Sequence, residues 1–168
     1  VGRFLNFSNP NGLPYTWLME KLVVFADSII VSNKFLQNRF TGHLVHHCRD
    51  TTVLNPDNFD SQEVKKSLGL GNNRVIMFMG TPRAHKGIDD LIKAVDSLNY
   101  SDLRLVFIGA EPSFDLVRNS PSSTQNKVVV LPKIPFKELP KHLSAADILV
   151  VPQRNTTDTQ GQIPAKLF

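Results

Sequence analysis

The apolar positions of this chain change their period along its length, and that change places the elements. Between residues 15 and 26, Trp17, Leu18, Leu22, Phe25 and Ala26 recur at helical spacing, which predicts an amphipathic helix with Trp17 in the core. Ile29-Ile30-Val31 reads as a short buried strand. Ser32 reads as the N-cap of a helix through Arg39 that Gly42 ends, and residues 43–48 as another short strand. Residues 49–60 lapse into Asp, Thr, Asn and Pro and read as a linker. Asp60 with Glu63 three positions on is the capping-box pattern of a short helix that stops at Gly69, followed by a turn over residues 69–73.

From Arg74 the rhythm is regular. Apolar runs over residues 75–79, 103–108, 128–131 and 148–151 predict four strands. Ile88, Leu91, Ile92, Val95 and Leu98 make one helical stripe between the first two, and residues 114–117 read as a short helix. Pro140 suits the first position of a helix running to Ala146, and a polar loop over 153–162 leads to Pro164 and a helix start. Strands that are apolar throughout and alternate with helices predict an α/β fold: a Rossmann-like parallel sheet with helices on both faces. Such sheets bind ligands beyond the carboxyl ends of their strands, so the loops at that edge are where chemistry is expected.

The first of these loops, Gly80-Thr81-Pro82-Arg83-Ala84-His85-Lys86-Gly87, joins a strand to the amphipathic helix. A helix start offers amide N–H groups and a positive dipole end, Arg83 can fork onto phosphate oxygens, and Lys86 adds a point charge. Two cations there oppose the dipole, a conflict that a bound anion relieves. The spacing is not that of a Walker loop, and solvated loop cations remain the plainer alternative. The second loop, Pro132-Lys133-Ile134-Pro135, is held extended by its prolines and exposes backbone groups able to read a nucleobase edge, although an ordinary proline turn gives the same signal. The third, after residue 153, carries Asp158, Gln160, Gly161 and Gln162; amide side chains both donate to and accept from sugar hydroxyls, and Gly161 permits close backbone approach.

Composition narrows the classes. With 168 residues, 41% apolar and 20% charged, the chain has room for one globular domain, or one and part of another. The longest membrane-span candidate, residues 22–31, is broken by Asp27 and Ser28 and falls short of about 18 residues. No secretory signal opens the chain, and a first residue of Val1 suggests a piece of a longer protein. The single Cys48 excludes an internal disulfide framework and fits a reducing compartment. A net charge of +4 suits an anionic ligand, but the basic residues are too scattered to track a nucleic acid. His46, His47 and Cys48 are adjacent, so on a strand they face opposite ways and do not read as a metal site. His85 is expected to face solvent, and Glu111 lies at the functional edge.

Taken in order, these residues resemble the retaining GT-B glycosyltransferases of family 4 (group 1), as a fragment of the C-terminal donor-binding domain. The run Ala26-Asp27-Ser28-Ile29-Ile30-Val31-Ser32 is similar to the end of that family's N-terminal domain, and Arg49-Asp50-Thr51 to its interdomain crossover. Gly80 through Gly87 resembles the glycine, arginine and Lys-Gly element of the donor domain; Glu138-Leu139-Pro140 with Ala146-Asp147-Ile148 resembles the segment ending in Ala-Asp. Ile163-Pro164-Ala165-Lys166-Leu167-Phe168 resembles the turn that contacts the donor.

The resemblance implies a first-domain remnant over 1–48, a linker over 49–60 and an incomplete nucleotide-sugar-binding domain over 61–168. It implies transfer of a hexose, with retention, from a nucleoside diphosphate sugar (UDP-glucose first) to a saccharide or lipid-linked acceptor in polysaccharide synthesis. Neither a metal nor another cofactor is expected. Gly80, Arg83, Lys86, Ile163, Ala165 and Lys166 would bind the diphosphate, backbone at Pro132, Lys133 and Ile134 the base, and Asp158, Gln160, Gly161 and Gln162 the sugar. One acidic position of the family falls near Gly161, where Asp158, Gln160 or Gln162 would substitute, and a second falls beyond Phe168. The setting implied is the cytoplasm or the inner face of the membrane, with peripheral association of the full-length enzyme and no nucleic-acid partner. A non-catalytic nucleotide-sugar-binding module and a GT-B-fold epimerase are the alternatives.

Overall fold

Capping and turn chemistry decide where the elements of this chain begin and end. The computed structural model describes residues 12–110, 122–156, 159, 161 and 162. The chain divides into two compact units, residues 1–48 with 154–168, and residues 49–153. In the first unit, helix α1 (Gly12–Leu22) runs into a 3-10 turn (Val23–Phe25), followed by strand β1 (Ile30–Val31), helix α2 (Lys34–Phe40) and strand β2 (His43–Leu44). The strands pair in parallel, Ile30 opposite His43 and Val31 opposite Leu44.

Several expectations shift here. The N-cap of α2 is Asn33 and not Ser32: its extended backbone and its Oδ1, which accepts from Leu36 N at 2.8 Å, meet the geometry of a cap one residue later. The second strand stops at Leu44 instead of Cys48. Trp17 is not in a core. It is 49% exposed, and Leu18, Leu22 and Phe25 are exposed with it. Two strands of two residues each present too little surface to cover an eleven-residue helix. Gly42 does end α2 as expected, and its φ of 96° and its contact with Ile29, whose carbonyl oxygen would lie 2.6 Å from any added Cβ, admit only glycine.

In the second unit, Asp60 caps helix α3 (Ser61–Ser67) by accepting from Gln62 N at 2.8 Å and Glu63 N at 3.1 Å, as its spacing predicts. Strand β3 (Arg74–Met79), helix α4 (Ile88–Ser97), strand β4 (Leu103–Ile108), helix α5 (Ser122–Gln125), strand β5 (Val128–Leu131), helix α6 (Leu139–Leu143) and strand β6 (Ile148–Leu149) follow. All four strands are parallel, in the order β5-β4-β3-β6. Alternate residues build two cores. Phe78, Leu105 and Phe107 pack with Ile88, Leu91, Ile92 and Val95 of α4 on one face. Val75, Met77, Val106 and Ile108 pack with Val64 of α3 and with Leu139 and Leu143 of α6 on the other. The α/β parallel sheet covered on both faces is therefore the fold that the sequence predicts. Strand β6 is the exception. It is shorter than the apolar run, and as an edge strand it leaves Ile148 and Leu149 more than half exposed. Helix α6 starts at Leu139, behind a 3-10 turn (Phe136–Glu138), and ends at Leu143 rather than Ala146. The short helix expected at residues 114–117 lies outside the described residues. No described helix is long and apolar enough to cross a membrane.

One ion pair pins helix α3 to the amino end of the sheet. Lys65 is buried, and its Nζ donates to both carboxylate oxygens of Asp147 (2.9 and 2.7 Å) and to the Asn73 carbonyl (3.2 Å), while Asp147 also accepts from Val75 N at 2.7 Å. Burial raises the carboxyl pKa of Asp147, but the Lys65 and Val75 hydrogen bonds, with the charges of Lys65 and Arg74, outweigh it and hold the group below its ordinary 3.8. A depressed folded-state pKa stabilises the fold fully above that ordinary value, and the contribution disappears as pH falls through the folded value. Asp147→Ala strands the buried Lys65 ammonium. Since the carboxylate is about half exposed, a cost of about 2 kcal/mol is expected, below the usual figure for a fully buried pair. Urea denaturation checks it: the difference between wild type and variant should shrink below about pH 4.

Candidate functional site

The strand order fixes one place where ligands can enter. From β3 the chain crosses to β4 through α4 on one face, whereas β5 returns to β6 through α6 on the other, so β3 and β6 are neighbours whose crossovers diverge. That is the topological switch point of a doubly wound sheet, and its crevice lies beyond the carboxyl ends of β3 and β6. The loop after β3 is the one with the two cations.

Gly80 extends the ladder one step past β3, donating to Ile108 O at 2.7 Å, and then turns out of the sheet at φ 117°. Beside it Gly109, at φ 87°, does the same after β4, donating to Leu131 O at 3.0 Å. A Cβ on Gly109 would lie 3.5 Å from Gly80 backbone. The two residues leave a bare backbone floor at the carboxyl edge. Gly109 escaped the sequence reading because, unlike Gly80, it has no cations following it.

Past Gly80 a 3-10 turn (Ala84–Lys86) leads into α4. Lys86 N donates to Arg83 O at 2.9 Å, and Lys86 Nζ to Thr81 O at 3.1 Å, so the loop folds back on itself and brings its two cations into range of each other. Partial burial lowers the Lys86 pKa from its ordinary 10.5, and repulsion from Arg83 lowers it further. The N-cap of α4 is Gly87 in the left-handed region, with no side chain to accept from the leading amides. The dipole conflict expected from the sequence is smaller than supposed, because Asp89 and Asp90 occupy the first turn of α4. The repulsion between Arg83 and Lys86 is the stronger reason for an anion here. His85 is only half-buried.

After β5, Pro132 and Lys133 are exposed while Ile134 packs into the core beside α6, which leaves an extended backbone strip at the same edge. In the loop after β6, Gly161 and Gln162 are described and belong to the first unit. The Cβ direction of Gly161 faces Phe35 and Leu36 at 3.4–3.5 Å, so protein occupies the side its missing side chain leaves open. Asp158, Gln160, Ile163, Ala165, Lys166 and Glu111 lie outside the described residues. No three His, Cys, Asp or Glu side chains converge as metal ligands among the described residues.

Residues 60–161 match the family of glycosyl transferases group 1. Over 141 residues the chain is 29% identical to the GDP-mannose-dependent alpha-(1-6)-phosphatidylinositol monomannoside mannosyltransferase of Mycolicibacterium smegmatis, a match covering 77% of this chain and 37% of that protein. The C-terminal domain of a glycosyl transferase group 1 family protein (LpcC) from Francisella tularensis shares its fold at a TM-score of 0.53 and 24% identity, over 62% of this chain and 58% of that one. Alr3699/HepE from Anabaena, solved in complex with UDP, is similar at a TM-score of 0.65 and 18% identity, over 88% of this chain and 44% of that one. The chain spans less than two thirds of each of these proteins.

The glycine floor has a measurable consequence. Gly109→Ala puts a Cβ into the left-handed region and should cost about 1–2 kcal/mol of stability, read from urea denaturation. Gly69→Ala, in the same region but with nothing within 4 Å of its Cβ, separates backbone strain from crowding of Gly80.

Proposed function

The chain belongs to the glycosyl transferases group 1 family, and from that premise we propose that it forms the donor half of a transferase that moves a hexose from a nucleoside diphosphate sugar to a saccharide or lipid-linked acceptor. The observation that carries this reading is the pair of mutually repelling cations, Arg83 and Lys86, in the loop at the switch point of the sheet. A diphosphate carries the charge to relieve that repulsion, and nucleoside diphosphate sugars supply one. As the glycosidic bond breaks, negative charge grows on the departing diphosphate. Fixed cations and the leading amides of α4 stabilise that charge with no metal required.

In this reading Gly80, Arg83 and Lys86, with Ile163, Ala165 and Lys166, hold the diphosphate. The strip at Pro132, Lys133 and Ile134 meets the base, and Asp158, Gln160, Gly161 and Gln162 meet the sugar. Retention of configuration, UDP-glucose as donor and polysaccharide synthesis in the cytoplasm belong to the same proposal. The UDP complex of the Anabaena protein supports the nucleotide, whereas the Mycolicibacterium relative is named for GDP-mannose, so GDP is the competing base. That relative is also named for a phosphatidylinositol acceptor, which supports a lipid-linked substrate and peripheral membrane association of the longer protein.

Calorimetry with UDP and GDP tests the reading. One of them should bind, and Lys86→Ala should weaken it about fivefold or more, as expected for loss of a charge-assisted phosphate contact; unchanged affinity removes the diphosphate assignment. The pH dependence has a definite sign. Only the protonated amine attracts the anion, so affinity should fall as pH rises through the lowered Lys86 pKa, before the ordinary 10.5 is reached. Lys86→Arg should flatten that decline, measured as affinity against pH.

A further inference from the structure

Two buried polar side chains hold the described residues of the loop after β6: residues 154–156, Thr159, Gly161 and Gln162. The Thr159 hydroxyl sits inside it, accepting from Thr156 N at 2.9 Å and donating to Arg154 O at 2.6 Å. Backbone bonds from Thr159 N to Thr156 O and from Gln162 N to Thr159 O, both 2.9 Å, complete the turn. Thr159 therefore shapes the loop from within. Asn33 anchors it from outside. It is 6% exposed and uses both ends of its amide: Oδ1 accepts from Leu36 N at 2.8 Å, and Nδ2 donates to Gly161 O at 3.0 Å.

The cap alone does not explain an asparagine at this position. Ser, Asp and Thr accept from a helix amide about as well, but Asp has no donor, and the single hydroxyl oxygen of Ser or Thr cannot stay at the cap and also reach a carbonyl an amide's width further on. Asn does both, and it joins residues 128 positions apart in the chain. Phe35 and Leu36 close the remaining side of Gly161. The carbonyl and the Cβ side of Gly161 are thus both turned towards α2, while the Gln162 side chain stays exposed.

We infer that Asn33 is a positioning residue for the donor-sugar turn: its amide fixes the Gly161 carbonyl, and through it the direction in which Gln162 is presented. This inference rests on the donor reading above. A turn already ordered before the sugar arrives costs less to order on binding, so the effect of Asn33 falls mainly on recognition of the sugar, while the diphosphate keeps Arg83 and Lys86 and the base keeps its strip at Pro132, Lys133 and Ile134.

Asn33→Asp separates the two roles. The carboxylate still caps α2, but where the amide donated it now presents an acceptor to a carbonyl. With the whole chain, calorimetry against UDP, UDP-glucose, GDP and GDP-mannose should show nucleotide affinity within about twofold of wild type and nucleotide-sugar affinity lowered about fivefold or more. If Asn33→Asp unfolds, Asn33→Ser keeps the cap without the repulsion, and the same selective loss is expected. Hydrogen exchange without ligand supplies a second readout: the amides of Thr159, Gly161 and Gln162 should exchange faster in the variant while those of α2 keep their protection. Equal loss for nucleotide and nucleotide sugar, or no loss for either, overturns the role of Asn33. If wild type binds neither nucleotide, it is the donor reading that fails. A faster-exchanging loop would then leave Asn33 as a structural tether only, without the positioning role.

Discussion

Everything that can be said about chemistry in this chain depends on the reversal of strand order at β3. Because β4 and β5 lie to one side of it and β6 to the other, the crossovers leave by opposite faces and diverge at the carboxyl edge. The sheet must also be apolar on both faces to accept helices from both directions, which is why Val75, Met77 and Phe78 are all fully buried although they alternate in direction. The same constraint sends polar residues to the loops. At the switch point those residues are Arg83 and Lys86, and elsewhere at that edge Lys133.

The carboxyl and amino edges of the sheet divide the work between them. At the amino edge Lys65, Asp147 and the Val75 amide satisfy one another, and Arg74 binds the Asp102 carboxylate through two nitrogens while lying over the Tyr100 ring at 4.6 Å. Charges there are paired. At the carboxyl edge two glycines offer only backbone, and Arg83 and Lys86 share one loop, where burial lowers the Lys86 pKa and the nearby Arg83 charge lowers it further. Neighbouring like charges at one edge and satisfied pairs at the other is the pattern expected when one edge holds the fold and the other binds an anion.

Much of the fold was legible because it is periodic. Runs such as residues 75–79 and 103–108, and the stripe from Ile88 to Val95, carry their own geometry, and the Asp60 cap depends on a spacing of three residues. Features that depend on what lies opposite were not legible. The spacing of Trp17 and Leu22 gives a stripe but not what covers it. Placing the cap at Asn33 instead of Ser32 requires knowing where β1 ends. Gly109 looks like any glycine after a strand until Gly80 is found beside it, and the role of Asp147 appears only once Lys65 is seen buried 82 positions away. In the candidate site, the cation loop could be read from residue types, while the anchoring of Gly161 by Asn33 could not.

The central claim is that the loop from Gly80 to Ile88 is where a nucleoside diphosphate docks, and amide chemical shifts test it most directly. With the 15N-labelled chain titrated with UDP and separately with GDP, the account predicts that the amides of Gly80, Lys86, Gly87 and Ile88 move and saturate together. Those of Gly69, Asn73 and Asp102 at the amino edge should stay in place. Shifts confined to the amino edge, or none at the carboxyl edge with either nucleotide at millimolar concentration, would contradict it.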